Sequence, residues 1–297
     1  MIKTENLSKR FGSFTALDNI SCTINKGCIY GMVGSNGAGK STFLRVISGI
    51  YKPDGGSAVL DGENIYENPS AKAKLAFVPD ELYYISGADM DRMALLYKSV
   101  YPTFDRARYE DLAGKFGLDR KKPLNAFSKG MRRQAMTVLA LSAKPEYIFF
   151  DETFDGLDPV MRNYVKKLIC DDVIERNATA IITSHSLREL EDTCDQLALL
   201  HKGGLVLESD IQNLKTSQFK IQIAFTSDYG REKFDKLDII QFVKHGSVAN
   251  MIVKGGKEET VEYLRVMNPI LLEVLPLTLE EVFTYEMEAL GYKFDME

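Results

Sequence analysis

The sequence predicts an α/β protein: a mainly parallel sheet covered by helices, an inserted block of helices, and a small α+β appendage. Three observations carry this expectation. The apolar run Ile29–Val33 leads into a glycine-rich turn and then a helical stretch; strand–helix alternation resumes at residues 146–207; and the pattern changes character after about residue 210.

Taken in order, residues 1–30 alternate apolar and polar positions, as at Ile2 and Thr4 and at Ile20, Cys22 and Ile24, which reads as short half-exposed strands. Residues 29–33 form a buried strand, and residues 40–48 a helix with Gly49 placed to end it. From about 82 to 142 apolar residues recur at three- and four-residue spacings, for example Met90, Met93, Ala94 and Tyr97. No strand-like run interrupts until residues 147–150, so a helical subdomain is inserted there. Asp158 and Pro159 suit the N-cap and first position of a helix running to about Arg176. Residues 180–183 read as the next strand, and Ser186 with Glu189 matches a capping box opening another helix. Beyond 210, strands are expected at 220–225, 239–244 and 249–255, and helices at 258–267 and 279–290. The expected domains are 1–208 and 209–297.

The 297 residues are 45% hydrophobic and 27% charged, a mixture that builds an ordinary globular core. The net charge of −5 argues against a dedicated nucleic-acid binder, although residues 129–133 form a local basic run. Cys22, Cys28, Cys170 and Cys194 form no C-x-x-C pair and are expected as reduced thiols. His185, His201 and His245 are too scattered for a metal site built by local spacing. No apolar run approaches the roughly 18 residues of a membrane span, and the start lacks the apolar core of a signal peptide. The expected location is cytoplasmic, with any membrane role exercised through a partner.

Gly34, Ser35, Asn36, Gly37, Ala38, Gly39, Lys40 and Ser41 fit G-x-x-x-x-G-K-[ST] without mismatch, and Thr42 follows. Glycines let the backbone wrap closely and point amides inward. The helix beginning near Lys40 aims its positive end at the same place. Lys40 supplies a mobile charge for the β- and γ-phosphates of ATP, and Ser41 a hydroxyl for Mg²⁺.

The apolar strand at 147–150 ends in Asp151 and Glu152. In a parallel sheet that edge is where ligands bind. Asp151 can hold Mg²⁺ and Glu152 can polarise an attacking water. His185 follows another strand at the same expected edge and is a candidate γ-phosphate contact.

With these elements in place, residues 1–207 resemble an ABC-type ATPase cassette. The decisive segment is Phe127-Ser128-Lys129-Gly130-Met131, which resembles the family's Leu-Ser-Gly-Gly-Gln signature and lies just upstream of the Asp151–Glu152 strand. The resemblance implies a P-loop NTPase fold with antiparallel N-terminal strands. It also implies a dimer, homomeric or heteromeric, in which Ser128 and Gly130 touch the ATP held by a second cassette. By the same resemblance Phe11 stacks on adenine, residues 155–158 form the loop through which the cassettes communicate, and His185 is the switch histidine.

This chain departs from the family pattern in places. The signature differs at its first, third and fifth positions. Asp80 stands where a glutamine is usual and is a candidate Mg²⁺ ligand, and Asp155 stands where a serine is common. The variant signature, Asp80 and the C-terminal extension, with Leu279-Glu-Glu-Val-Phe283 resembling a closing helix, look like bacterial exporter-type cassettes, which handle peptide antibiotics, drugs or lipids. That implies an integral membrane permease as partner and a peripheral place on the inner face of the membrane. The appendage would stabilise the dimer, regulate it, or merely pack against the cassette. The alternatives are a cytosolic ABC-type ATPase with a non-membrane partner and a non-hydrolysing regulatory module.

Overall fold

Buried along its whole length, strand β3 (Ile29–Val33) sits inside a six-stranded sheet. The computed structural model describes residues 1–213, 218–275 and 277–289. The chain divides into two units, Met1–Glu208 and Ser209–Glu297.

In the first unit β3 pairs in parallel with β8 (Thr179–Ser184) and β9 (Gln196–His201). From β8 the parallel pairing continues through β7 (Tyr147–Asp151) to β6 (Leu75–Val78). Strand β10 (Gly204–Asp210) lies outside β9. All residues of β7 and β8 are buried, which explains their unbroken apolar runs: helices and a second sheet cover both faces. That second sheet has the order β2 (Phe14–Ile24), β1 (Ile2–Phe11), β4 (Gly55–Leu60) and β5 (Glu63–Asn64), paired antiparallel. The alternation seen in the sequence turns Ile20, Cys22 and Ile24 inward.

Helix α1 (Lys40–Ile47) is held in the core of this unit. Phe43, Leu44, Val46 and Ile47 belong to one buried cluster with Leu7, Leu17, Ile20, Met32 and Phe149. Each such side chain contributes about 1.5–3 kcal/mol when fully buried. The helix that receives the glycine-rich turn is therefore a rigid support.

After the short α2 (Pro69–Lys72) come α3 (Met90–Val100), α4 (Arg106–Lys115) and α5 (Lys129–Ser142). Each of these three starts on a side-chain cap. Asp89, Asp105 and Ser128 accept the amides of Arg92, Arg108 and Met131 at 2.8, 2.9 and 3.2 Å. Such a cap is worth about 1 kcal/mol. Residues Ala135–Ser142 of α5 are buried, so α5 is the spine of the helical block.

Asp158 caps α6 (Pro159–Arg176) by accepting the amides of Val160 and Met161, and Asn177 ends it in the left-handed region. The capping box expected at Ser186 and Glu189 does not form at the start of α7 (Leu187–Glu191). Ser186 makes no side-chain cap. Glu189 instead accepts from Ser184 Oγ at 2.6 Å and pairs with Arg162 at 2.8 Å. Stronger partners outside the helix win the carboxylate.

In the second unit β11 (Gln218–Ala224) lies between β13 (Val248–Lys254) and β14 (Leu271–Leu275), with β12 (Asp238–His245) outside β13. Every pairing is antiparallel. Alternation puts Phe219, Ile221 and Ile223 in a core with Phe234, Met251, Val253 and Leu264. The helices are α8 (Lys257–Val266) and α9 (Leu279–Ala289); Leu290, to which the second was expected to reach, lies outside the described residues. A capping box does form here. Thr278 Oγ1 accepts the Glu281 amide at 3.2 Å, and Glu281 Oε2 accepts the Thr278 amide at 3.0 Å.

Candidate active site

The register of the parallel strands brings four loops to one edge. Val33 is level with Ser184, Thr183 with Asp151, and Phe150 with Val78. The chain after residues 33, 78, 151 and 184 therefore leaves from the carboxyl edge of the sheet. A cavity of about 460 Å³ opens there. It is lined by residues 36–42 with Phe14, Ala16, Asp80, Glu152, Asp155 and His185.

Gly39 is the N-cap of α1 at φ +107°, and a Cβ there would come within 2.7 Å of the Ala16 carbonyl oxygen. Only glycine fits. Lys40, 5% exposed, donates from Nζ to the carbonyl oxygens of Gly34 and Ser35 at 2.6 and 3.3 Å, and lies 3.1 Å from Glu152 Oε1. The loop and the acidic strand end are thus joined by an ion pair.

Asp151 is fully buried. Its Oδ1 accepts from Ser41 Oγ at 3.0 Å and from Thr183 Oγ1 at 2.8 Å. Its Oδ2 is buried with no hydrogen-bond partner. Burial pushes the Asp151 carboxyl above the usual carboxylate range, against the two hydroxyl hydrogen bonds. A buried carboxylate oxygen without a donor is costly. A hydroxyl and a carboxylate are hard oxygen donors of the kind Mg²⁺ takes, so Ser41 and Asp151 fit that ion.

Glu152 adopts φ +50°, unusual for a non-glycine residue. Thr183 Oγ1 accepts its amide at 3.0 Å, so one threonine serves both acids. Glu152 Oε2 lies 3.0 Å from His185 Nδ1. Burial raises the Glu152 carboxyl, but hydrogen bonds with His185 and Lys40 outweigh it and hold it below its ordinary value. The hydrogen bond to Glu152 in turn raises His185. Asp155 is raised by burial and by the neighbouring Glu152 charge, and its Oδ2 is 3.9 Å from His185 Nδ1. The arrangement presents an ionised carboxylate, shared between an ammonium and an imidazole, at the mouth of a glycine-rich cradle.

Asp80 lines the cavity, 47% exposed, with its Oδ1 ion-paired with Arg133. The basic run at 129–133 is not a continuous surface patch, because Arg133 is only 1% exposed and lies among carbonyl groups. Phe11 is 44% exposed. Its ring meets Tyr51 edge-on at 5.5 Å and is absent from the cavity lining, whereas Phe14, 60% exposed, is present. Ser128 is exposed and Gly130 half-buried at the start of α5. Phe127, the first signature position, is buried in the core.

A family model described as ABC transporter matches residues 17–155. Across 95% of its length the chain is 32% identical to the ABC transporter ATP-binding protein YtrB of Bacillus subtilis (strain 168), covering 97% of that protein. The chain belongs to the ATP-binding proteins of ABC transporters. It is also 28% identical, over 95% of its length, to the bacitracin transport ATP-binding protein BcrA of Bacillus licheniformis, covering 94% of it. The fold matches a dimeric ATP-binding cassette, MJ0796, in a post-hydrolysis state bound to ADP and Pi. That match has a TM-score of 0.63 at 21% identity and covers 71% of this chain and 99% of that one.

As an ABC ATP-binding protein the chain is an ATPase, and motif reading passed over several side chains in and behind the cavity wall. Thr183 was hidden inside the apolar strand; its one signal is a hydroxyl two residues before His185. Arg133 looked like part of a solvated basic run. Phe14, which lines the cavity, was not singled out, because sequence order alone does not tell which nearby rings face it.

Proposed function

We propose that this ABC ATP-binding protein hydrolyses ATP at the Lys40–Glu152 site as one of a pair of cassettes, and so powers export through a separate membrane-spanning subunit. The observation that carries the reading is the Glu152 carboxylate, ionised and shared between Lys40 and His185 beside the glycine-rich loop.

A γ-phosphate seated in the loop competes with Glu152 for the Lys40 ammonium. Once Lys40 turns to phosphate, Glu152 Oε1 is free to accept a proton from water. That water attacks phosphorus, the bond to the β,γ-bridging oxygen breaks, and ADP leaves. Asp151 and Ser41 would hold Mg²⁺, which when bound neutralises charge on the phosphates. His185, still hydrogen-bonded to Glu152, fixes the orientation of the carboxylate and offers Nε2 toward the phosphate side.

The paired arrangement is supported by the exposure of Ser128 at the N-terminus of α5, where amides and the helix dipole suit a phosphate brought by a second cassette. The membrane partner is supported by a second opening, an apolar groove of about 670 Å³ between α3 and the end of β6. Ile50, Tyr83, Leu96 and Val100 line it and are exposed at 54, 76, 39 and 53%. A cytoplasmic segment of the membrane-spanning subunit is its occupant in this reading, since no helix among the described residues is long and apolar enough to cross a membrane. The export direction and the inner-face location rest on the resemblance of the signature, Asp80 and the C-terminal extension to exporter-type cassettes, and BcrA is a transport ATP-binding protein.

The test is affinity purification of the tagged chain from detergent-solubilised membranes of its own cells. A multi-span membrane protein in stoichiometric amount is expected, and it is lost with Tyr83→Glu. A chain that purifies alone, or with only soluble partners, overturns the transporter reading.

A further inference from the structure

We infer that Arg133 is a positioning residue for hydrolysis: it ties the loop at Asp80 to the main chain that carries Glu152. This rests on the role of Glu152 proposed above.

The guanidinium is almost fully buried, and its hydrogen bonds go to the active-site edge. Its Nη1 donates to the carbonyl oxygens of Glu152 and Asp155 at 2.6 and 2.7 Å. Its Nη2 donates to the Asp80 carbonyl oxygen at 3.1 Å and pairs with Asp80 Oδ1. One side chain therefore joins the loops after β6 and β7 and roots both in α5. The planar fork of arginine suits this; a lysine carries three donors on one nitrogen and cannot span the same carbonyls.

What it holds is strained. Glu152 sits at φ +50°, a conformation that persists in a side-chain-bearing residue only where the surroundings fix it. The fixing contacts are the hydrogen bond its amide donates to Thr183 Oγ1 on one side and the hydrogen bond its carbonyl accepts from Arg133 on the other. The start of α5 also abuts the same loop closely, since a Cβ on Gly130 would come within 2.9 Å of the Gly156 carbonyl oxygen.

The charges are unevenly placed. Arg133 is 1% exposed, whereas its counter-ion Asp80 is 47% exposed. Among the described residues Asp80 is the only carboxylate within ion-pair distance of Arg133. Pro79 and Tyr83, on either side of Asp80 in the chain, line the apolar groove, and Tyr84 is bound by Arg132 at 3.1 Å. Moving this loop strips a buried cation of its partner, and the cation in turn holds the backbone of Glu152. The usual glutamine at position 80 could not form this ion pair, so the departure from the family pattern has a structural counterpart in α5.

The test measures ATP turnover, ATP affinity with a fluorescent nucleotide, and thermal stability of the full chain for Asp80→Asn, Asp80→Glu, Arg133→Gln and the double variant. Asp80→Asn and Arg133→Gln are expected to lower kcat by about 10- to 100-fold, with ATP affinity within about threefold of wild type. Asp80→Glu recovers most of the loss. The double variant loses less than the product of the single losses, because no unpaired buried charge remains. If Arg133→Gln does not fold, Asp80→Asn and Asp80→Glu decide alone, since Asp80 is half-exposed. Wild-type kcat in Asp80→Asn, or losses that multiply in the double variant, overturns the inference. Failure of the underlying reading has a different signature: Glu152→Gln then turns over ATP normally whatever Asp80 does.

Discussion

The Lys40 ammonium lies 3.1 Å from Glu152 Oε1, so the cation of the phosphate loop and the carboxylate of β7 share one ion pair. The pair places Glu152 where a terminal phosphate must displace it, which links nucleotide entry to release of the base. Removing one partner from a buried pair leaves the other uncompensated. Lys40→Ala is therefore expected to weaken ATP binding and also to shift Glu152, whereas Lys40→Arg keeps the charge but overfills the loop.

The Glu152–His185 contact sets a titration. The Glu152 hydrogen bond raises the His185 pKa, so Glu152→Gln moves it down toward the ordinary value of about 6.5. Histidine NMR, with His185 assigned by substitution, reads the shift. The stabilisation from this pair is therefore full below about pH 6.5 and fades as the pH rises through the raised value. The melting-temperature gap between wild type and His185→Gln therefore narrows as the pH rises from about 6 through the raised His185 value.

Asp151 carries the opposite consequence. Burial raises its pKa, so the ionised carboxylate costs stability at neutral pH, and the cost appears as the pH climbs through the raised value. Measured without nucleotide or metal, Asp151→Asn melts about 2 °C or more above wild type. The same variant loses Mg²⁺-dependent ATP turnover. A fall in melting temperature would mean that the Ser41 and Thr183 hydrogen bonds outweigh the desolvation of the charge.

The two N-terminal rings separate by position. Phe14 lines the cavity; Phe11 packs against Tyr51. Phe14→Ala is expected to weaken ATP binding by about tenfold, in line with the roughly 1–3 kcal/mol of a base stacked on a ring. Phe11→Ala changes it by less than about threefold. Fluorescent-nucleotide titration of both variants decides it, and the reverse order would return the adenine contact to Phe11.

The sequence was most informative where local chemistry and fold agree. Gly39 is unavoidable because a side chain would strike the Ala16 carbonyl, and the apolar strand before Asp151 leads directly to the sheet edge. It was silent where the deciding contact is distant in the chain. Arg133 reads as a surface cation until Asp80, 53 residues earlier, is placed beside it. Ser186 and Glu189 fit a capping pattern, but Arg162 and Ser184 compete for the glutamate. Thr278 and Glu281 do make that pattern, with Lys220 on the other carboxylate oxygen.

Hydrolysis by the Glu152 carboxylate is tested most directly by single-turnover ATP cleavage in Glu152→Gln. The expected result is retention of uncleaved ATP in a stable dimer, with the rate down by about 10²- to 10⁴-fold as for loss of a general base. Cleavage at the wild-type rate, with no accumulation of an ATP-bound dimer, would contradict it.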